Sequence, residues 1–161
     1  MVSLKGFKQW LKFRKQEMQL QAVAIGMNSS LDWEDTHIIM LDYDIEDIEL
    51  VKQSVRELQE FWKLDDADIF KTRNGHHVFF WYDHVPYERL KMIINFARYV
   101  DPMYKYISRY YDHKTIRVAG KYQDKDICYE TSVKSMFAGT RNAQIRELGD
   151  LKKQEHKLLR K

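Results

Sequence analysis

The sequence predicts an α+β fold, with helices packed on a mostly antiparallel sheet in an order close to the split βαβ plan. A short apolar run precedes a strongly amphipathic segment, which is typical of a strand followed by a helix. An Asn-Gly dipeptide then lies between two strand-like runs, as in a hairpin. A second amphipathic segment and two further strand-like runs complete the order strand, helix, hairpin, helix, strand, strand, with helical ends.

The first half of the chain predicts a terminal helical segment, a buried strand and an amphipathic helix. Residues 4–24 favour one or two helices, and residues 27–33 favour a loop. The continuous apolar run 37–41 is typical of a strand buried on both faces. The next helix is predicted by apolar residues at steps of three and four, which line one helical face: Ile48, Val51, Val55, Leu58 and Trp62.

The second half predicts a hairpin, another helix and a pair of strands. Asn74-Gly75 separates the runs 68–73 and 77–82 and favours a type I′ turn, which needs positive φ at both central residues. A helix is predicted after Pro86, followed by an irregular stretch rich in tyrosine. Residues 115–119 and 127–131 favour strands, and the chain from about Asn142 favours a basic helix.

Composition predicts one soluble domain over residues 1–161. The chain is 44% hydrophobic and 32% charged, which is typical of a globular domain with its own core. Cys128 is the single cysteine, so an intrachain disulfide and a multi-cysteine zinc site are excluded. No apolar run approaches the roughly 18 residues of a membrane span, and the N-terminus lacks a signal-peptide pattern. We therefore expect an intracellular protein with no membrane partner.

Charge is distributed unevenly along the chain although the net charge is only +3. Basic residues crowd an N-terminal segment, residues 1–24, and a C-terminal segment, residues 142–161, while residues 32–50 are acidic. Basic ends around an acidic centre suit a protein that binds a polyanion and keeps carboxylates for another purpose. Ordinary solvated helix faces, whose lysine stems cover apolar surface, would give the same pattern.

Two aspartates follow the first apolar run, in the sequence IIMLDYD. In extended structure Asp42 and Asp44 point to the same face, where two carboxylates repel each other unless a cation lies between them. Hard divalent ions prefer such oxygen ligands. Asp44 also stands where a helix N-cap belongs, and Asp47 would add favourable charge to the first helical turn. The pattern thus favours Asp42 as a metal ligand and leaves Asp44 as ligand, cap or both.

Two further polar patterns lie on predicted strands. Alternation places His76 and His77 on opposite faces, so they do not ligate one metal together. His77 is either a half-buried ring or an imidazole that faces a phosphate. In TIRVAGKY, Arg117 and Lys121 share one face, which is either simply exposed or faces carboxylates or an anionic ligand.

Taken in order, these segments resemble the catalytic core of the archaeo-eukaryotic primase and primase-polymerase superfamily. The D-x-D strand of that family is similar to IIMLDYD, and its histidine motif is similar to NGHHVFFW. Its third motif, an acid followed by a tyrosine and a basic strand, resembles YVDPMYKYISRYYDHKTIRVAGKY. The resemblance covers about residues 36–122, within a predicted core of residues 36–131. Asp101 departs from the pattern, because Pro102 follows where the family often continues a strand.

The resemblance implies a metal-dependent nucleotidyltransferase of DNA replication on an RNA-recognition-motif-like (RRM-like) sheet. It would use nucleoside triphosphates on a single-stranded nucleic-acid template, with a helicase or other replication proteins as partners, in a cytoplasmic, viral or plasmid setting. The basic ends would hold the template backbone. The implied ligands of two Mg²⁺ or Mn²⁺ ions are Asp42, Asp44 and Asp101, and the implied nucleotide-binding residues are His77, Arg109, Arg117 and Lys121.

Two other functions are compatible with the sequence. A non-catalytic nucleic-acid-binding module on the same sheet would stack bases on Phe79 and Trp81, and Tyr110 and Tyr111 are further stacking candidates. A rolling-circle replication endonuclease would use a nucleophilic tyrosine from YKYISRYYDHK. That family, however, places two histidines on one strand face, whereas the two histidines here are adjacent.

Overall fold

The structure, a computed structural model, describes residues 25–31, 35–119 and 127–160, together with Gln9. The predicted helical segment over residues 4–24 and the predicted ligand Lys121 fall outside these ranges. Within them the chain forms six strands and four helices, in the following order: β1 (Ile25–Asn28), β2 (His37–Tyr43), α1 (Ile48–Trp62), β3 (Ala67–Lys71), β4 (His76–Val85), α2 (Tyr87–Phe96), α3 (Pro102–Ile107), β5 (Thr115–Ala119), β6 (Cys128–Val133) and α4 (Ala143–Leu159).

The strands form two antiparallel sheets, so the predicted α+β class is confirmed. The larger sheet has the order β2-β4-β3-β6, and β1 pairs separately with β5. Both β2 and β3 run antiparallel to β4, so they run parallel to each other on either side of it. Helix α1 connects β2 to β3, the two strands that flank β4.

The larger sheet has two faces with different surroundings. Asp42 lies opposite His77, and Met40 lies opposite Phe79, so these four side chains share one face, called here the site face. Helix α4 packs on part of it, where the His156 ring lies 4.6 Å from the ring of Phe79. Helix α1 packs on the opposite face, where the hydroxyl groups of Tyr43 and Ser54 are 2.9 Å apart.

Strand β2 and helix α1 form as the sequence predicts, but the helix cap differs. Residues 37–41 are fully buried, as expected for a continuous apolar run. Helix α1 begins after Asp47, whose carboxylate accepts from the amides of Glu49 at 2.9 Å and Leu50 at 3.4 Å. The prediction that Asp44 caps this helix is therefore wrong, because the helix begins one turn later than expected.

The hairpin lies at Asn74-Gly75, but the predicted type I′ turn is wrong. Neither residue has a positive φ. A four-residue loop connects the strands, in which the Thr72 amide donates to the Gly75 carbonyl at 2.9 Å and the Gly75 amide donates to the Thr72 hydroxyl at 3.0 Å. Glycine is required here for another reason, since a Cβ at position 75 would overlap the carbonyl oxygen of Tyr43.

Two further elements were not predicted. The expected loop over residues 27–33 overlaps β1, which forms because its backbone pairs with β5 about 90 residues later. The tyrosine-rich stretch contains α3, capped by Asp101 with Pro102 in its first turn, an arrangement that favours helix initiation. The basic helix from about Asn142 is confirmed, with Asn142 as its N-cap. Among the described residues, no helix has the length and hydropathy that a membrane crossing requires.

Candidate functional site

Asp42 and His77 meet on the site face near the ends of β2 and β4. The His77 Nε2 atom lies 3.6 Å from the Asp42 Oδ1 atom, too far for a hydrogen bond. Burial, and then the charge of Arg117, lower the pKa of His77 to about 3, so this imidazole is neutral at pH 7 and forms no ion pair. Its Nδ1 atom has no hydrogen-bond partner within the described ranges. This Nδ1 atom is therefore a buried donor or acceptor without a partner in those ranges.

Asp101 brings a third segment to the same place. Its amide donates to the carbonyl oxygen of Asp42 at 2.8 Å. Its carboxylate accepts from the amides of Met103 at 3.0 Å and Tyr104 at 3.2 Å, which caps α3. The Tyr104 hydroxyl donates to the carbonyl of Met40 at 2.7 Å. Helix α3 is thus docked on β2 beside Asp42. Where the primase superfamily often continues a strand after the acid, this chain begins a helix at Pro102.

The three aspartates influence one another electrostatically and are called here the carboxylate cluster. Burial raises the pKa of Asp42 to about 6, and the negative charges of Asp101 and Asp44 contribute in the same direction. Asp44 lies just beyond the end of β2 and is exposed. The positive charges of Arg117 and Lys114 oppose the rise in pKa. The site therefore concentrates negative charge that nearby cations only partly offset.

Arg117 lies on β5, in the two-stranded sheet β1-β5, and its positive charge acts on Asp42 of the carboxylate cluster. It is exposed, whereas Ile116 and Val118 on either side are buried, so the predicted alternation along β5 is confirmed. Its charge lowers the pKa values of both Asp42 and His77. Arg117 is therefore the described cation that best matches the predicted phosphate-binding role.

Arg109 lies elsewhere. It lines a cleft of about 940 Å³ together with His37, Lys91 and Tyr110, and the lining of this cleft does not include the carboxylate cluster or His77. Tyr110 is 65% exposed there, so it remains accessible for stacking. The lining of this cleft thus contains Arg109 but neither His77 nor Arg117.

Lys114 belongs to the site, although the sequence analysis did not select it. Its Nζ atom donates to the Tyr104 carbonyl at 3.0 Å and lies 3.7 Å from the centre of the Tyr104 ring. Burial lowers its pKa to about 8, against the opposing charges of Asp42 and Asp101. One signal was present in the sequence: alternation places residue 114 on the buried side, with Ile116, where a lysine needs a partner.

The predicted stacking role of Phe79 and Trp81 is wrong. Both rings are buried, stacked on each other at 4.5 Å and covered by His156 from α4. No base can reach them while that helix is in place. The prediction that the adjacent histidines point apart is confirmed, because the His76 Nδ1 atom donates to the Ile45 carbonyl at 3.0 Å, on the opposite face from His77.

The donors of the carboxylate cluster suit a hard divalent cation, which would offset both the burial and the repulsion that raise the pKa of Asp42. Each carboxylate oxygen of Asp101 accepts one hydrogen bond from a backbone amide and retains a lone pair for a further contact. In the part of the chain that the structure describes, no three His, Cys, Asp or Glu side chains are arranged as a closed ligand set. The donor chemistry therefore fits Mg²⁺ or Mn²⁺, whereas the present side-chain positions do not enclose an ion.

Comparison of the chain with protein-family models, with curated proteins and with solved structures finds no match.

Proposed function

We propose that this protein is a metal-dependent nucleotidyltransferase of the primase or primase-polymerase type, which adds nucleotides on a single-stranded template. One observation supports this proposal most strongly. Asp42, His77 and Asp101 come from three separate segments, and all three meet at one end of the site face. Strand pairing brings Asp42 to His77, and a backbone hydrogen bond brings Asp101 to Asp42.

Each residue has a role that its surroundings support. Asp42, Asp44 and Asp101 would hold the metal ions, which when bound supply positive charge to the attacking and leaving oxygens. His77 is neutral, and its Nε2 atom lies 3.6 Å from Asp42 Oδ1, so the ring would donate one hydrogen bond to a phosphate oxygen held beside Asp42. The guanidinium of Arg117 suits bidentate phosphate binding. Lys121 is expected to add a second cation.

We also propose that the catalytic core is an RRM-like split βαβ unit. The support is the order of three strands: β2 and β3 flank β4, run parallel to each other and are connected by α1. This arrangement carries the D-x-D segment and the histidine on adjacent strands.

The two alternatives have less support. A binding module that stacks bases on the sheet would need Phe79 and Trp81, which α4 covers. A rolling-circle endonuclease would need two histidines on one face, whereas His76 and His77 point to opposite faces.

The test is Mn²⁺-dependent incorporation of a labelled nucleotide on a single-stranded template. We expect incorporation by the wild type and a loss of at least about 100-fold in Asp42→Asn, because metal-ion catalysis contributes several kcal/mol. Glu46→Gln is the matched control, since Glu46 is an exposed acid four residues away, and it should retain the wild-type rate. Absence of incorporation by folded wild type, or equal rates for wild type and Asp42→Asn, would refute the proposal.

A further inference from the structure

A second cleft, distant in sequence from the carboxylate cluster, lies between the edge strand β6 and the C-terminal part of α4. Its volume is about 320 Å³. Four of its lining side chains are cationic and one is a carboxylate. We call it the basic groove, and its lining residues are Asp68, Phe70, Tyr129, Ser132, Lys134, Lys153, His156, Lys157 and Arg160.

The carboxylate of the groove is already fully engaged. Asp68 accepts from the Ser132 hydroxyl at 2.6 Å and the Trp81 indole at 2.9 Å, and it forms an ion pair with Lys153 at 2.9 Å. These partners lower the pKa of Asp68 against the effect of burial. Lys134 likewise pairs with Asp66 at 2.7 Å, outside the groove. The surplus positive charge of the groove therefore comes from Lys157 and Arg160.

One side chain of the groove wall, His156, contains a polar atom that is unpartnered within the described ranges. His156 is 1% exposed, and its Nε2 atom has no hydrogen-bond partner in the described part of the chain. The ring packs against Phe70 at 4.5 Å between centres, so its apolar contacts are satisfied while its polar atom is not. Buried polar groups normally find a partner, so this nitrogen is an exception within the described residues.

Aromatic surface lies beside these cations. Tyr129 on β6 is 54% exposed, and its ring lies 5.8 Å from that of Phe70. The Arg160 guanidinium lies 4.7 Å from the centre of the Phe70 ring. A positively charged groove with an exposed aromatic ring is the usual means of binding single-stranded nucleic acid, because bases stack on the ring while cations follow the backbone.

We propose that the basic groove binds a nucleotide unit of single-stranded nucleic acid, with its phosphates at Lys157 and Arg160 and its base against Tyr129. The identification of this strand as the template rests on the proposed function. The binding of the strand does not, since the groove contains none of the carboxylate cluster. The helix that closes one end of the site face thus also forms a wall of the binding groove.

The experiment measures binding of labelled oligo-dT and oligo-U of equal length by fluorescence anisotropy across a salt series. Lys157→Gln/Arg160→Gln should weaken binding at low salt by about 10-fold and reduce the salt slope by about 1.4, as expected for two lost phosphate contacts on a single strand. Lys52→Gln/Arg56→Gln is the matched control. It likewise removes one lysine and one arginine, here from α1 on the opposite face of the sheet.

Stacking is tested separately. Tyr129→Ala should weaken oligonucleotide binding by about 10-fold with an unchanged salt slope, since a stacked base contributes without releasing counterions. Phe61→Ala is the control, because Phe61 is 62% exposed on α1. Thermal unfolding of each variant establishes that the comparison is made between folded proteins.

The outcomes separate this inference from the proposed function. Asp42→Asn should bind the oligonucleotides as the wild type does, even though it loses incorporation. Equal weakening by the groove and control double variants, or no weakening by either, would overturn the inference. The inference would also be overturned if polyglutamate, a polyanion without bases, displaced the labelled oligonucleotides as effectively as unlabelled oligo-dT does. Groove-dependent binding by a protein that incorporates no nucleotide would support the groove and refute the enzyme.

Discussion

Strand β4 carries two regions of opposite character on the same face. His77, at one end, faces Asp42 and the other carboxylates. Phe79 and Trp81, the next two residues on that face, are stacked beneath α4 against His156. The strand geometry is the same at all three positions, so the presence or absence of the covering helix decides which end is core and which end is a site.

A perturbed pKa does not by itself distinguish the two ends. Burial lowers the pKa of His77 and of His156 to about 3 in each case. The difference lies in the neighbours, which are carboxylates around His77 and aromatic rings around His156. A functional assignment therefore needs the charges and accessible donors around a residue as well as its pKa.

The largest expected effect is at the covered end. Phe79→Ala should lower the free energy of unfolding by about 3–5 kcal/mol, because a fully buried ring leaves a cavity between α4 and the sheet. His77→Ala on the same strand should cost less, about 1–2 kcal/mol, since this ring is also buried but is smaller and lies beside the Asp42 carboxylate. Urea denaturation measures both values, and similar losses would contradict the contrast between the two ends.

Gly75→Ala tests the join between β4 and the end of β2. The added Cβ would overlap the Tyr43 carbonyl, so the backbone must shift, at an expected cost of about 1–3 kcal/mol in unfolding free energy. Asn74→Ala is the neighbouring control and should have a smaller effect. Equal stability of Gly75→Ala and the wild type would contradict the close contact between Gly75 and the Tyr43 carbonyl.

Asp42 should make stability depend on pH in the absence of divalent ions. Its pKa in the folded state, about 6, exceeds the ordinary value of 3.8, so ionisation disfavours the folded state. The penalty is absent below about pH 4, grows as the pH rises and is complete above about pH 7. The side chain is 37% exposed, so after allowance for solvent screening we expect about 1 kcal/mol.

The measurement is the unfolding free energy of wild type and Asp42→Asn at pH 4 and pH 7.5. Asp42→Asn should gain stability relative to the wild type on going to the higher pH, and Glu46→Gln should not. A gain by the wild type relative to Asp42→Asn would show that the carboxylate is stabilised by its surroundings.

The smallest expected effect concerns Lys114. Its charge opposes the rise in the pKa of Asp42, so Lys114→Met should move that pKa further upward, by less than about one unit. Carboxyl-carbon NMR titration of Asp42 measures the shift. Lys91→Met, which alters a lysine of the separate cleft, should leave the titration unchanged. A downward shift in Lys114→Met would exclude electrostatic contact between Lys114 and the cluster.

The sequence predicts those features that depend on local periodicity. Alternation correctly separates His76 from His77, and helical spacing correctly predicts α1. The cover of Phe79 is not predictable in this way, because it depends on docking of α4, more than 60 residues later. Gly75 shows a further limit, since its turn signal is real but the need for glycine arises from contact with another strand.

The candidate site is predicted only in part, because some of its residues are brought together by contacts between distant segments. Asp42 follows from its position at the end of a strand. Alternation predicts the faces of His77 and Arg117, but their nucleotide-binding roles are implied only by the resemblance to the primase superfamily. Lys114 was missed because its partner is the carbonyl of Tyr104, which only the docked helix α3 supplies. Arg109 was grouped with the site by its order in the sequence, whereas α3 carries it to a separate cleft.

The most direct test of the account is calorimetric binding of a non-hydrolysable nucleoside triphosphate with Mn²⁺ to wild type, His77→Gln and Phe79→Leu. These two substitutions lie on the same face of β4, one at each end of the comparison. We predict that His77→Gln weakens binding by about 10-fold, as expected for one lost hydrogen bond to a charged phosphate, and that folded Phe79→Leu binds within about twofold of wild type. Equal weakening by the two substitutions, or no binding by any of the three proteins, would contradict the assignment of the His77 end of β4 as a nucleotide site.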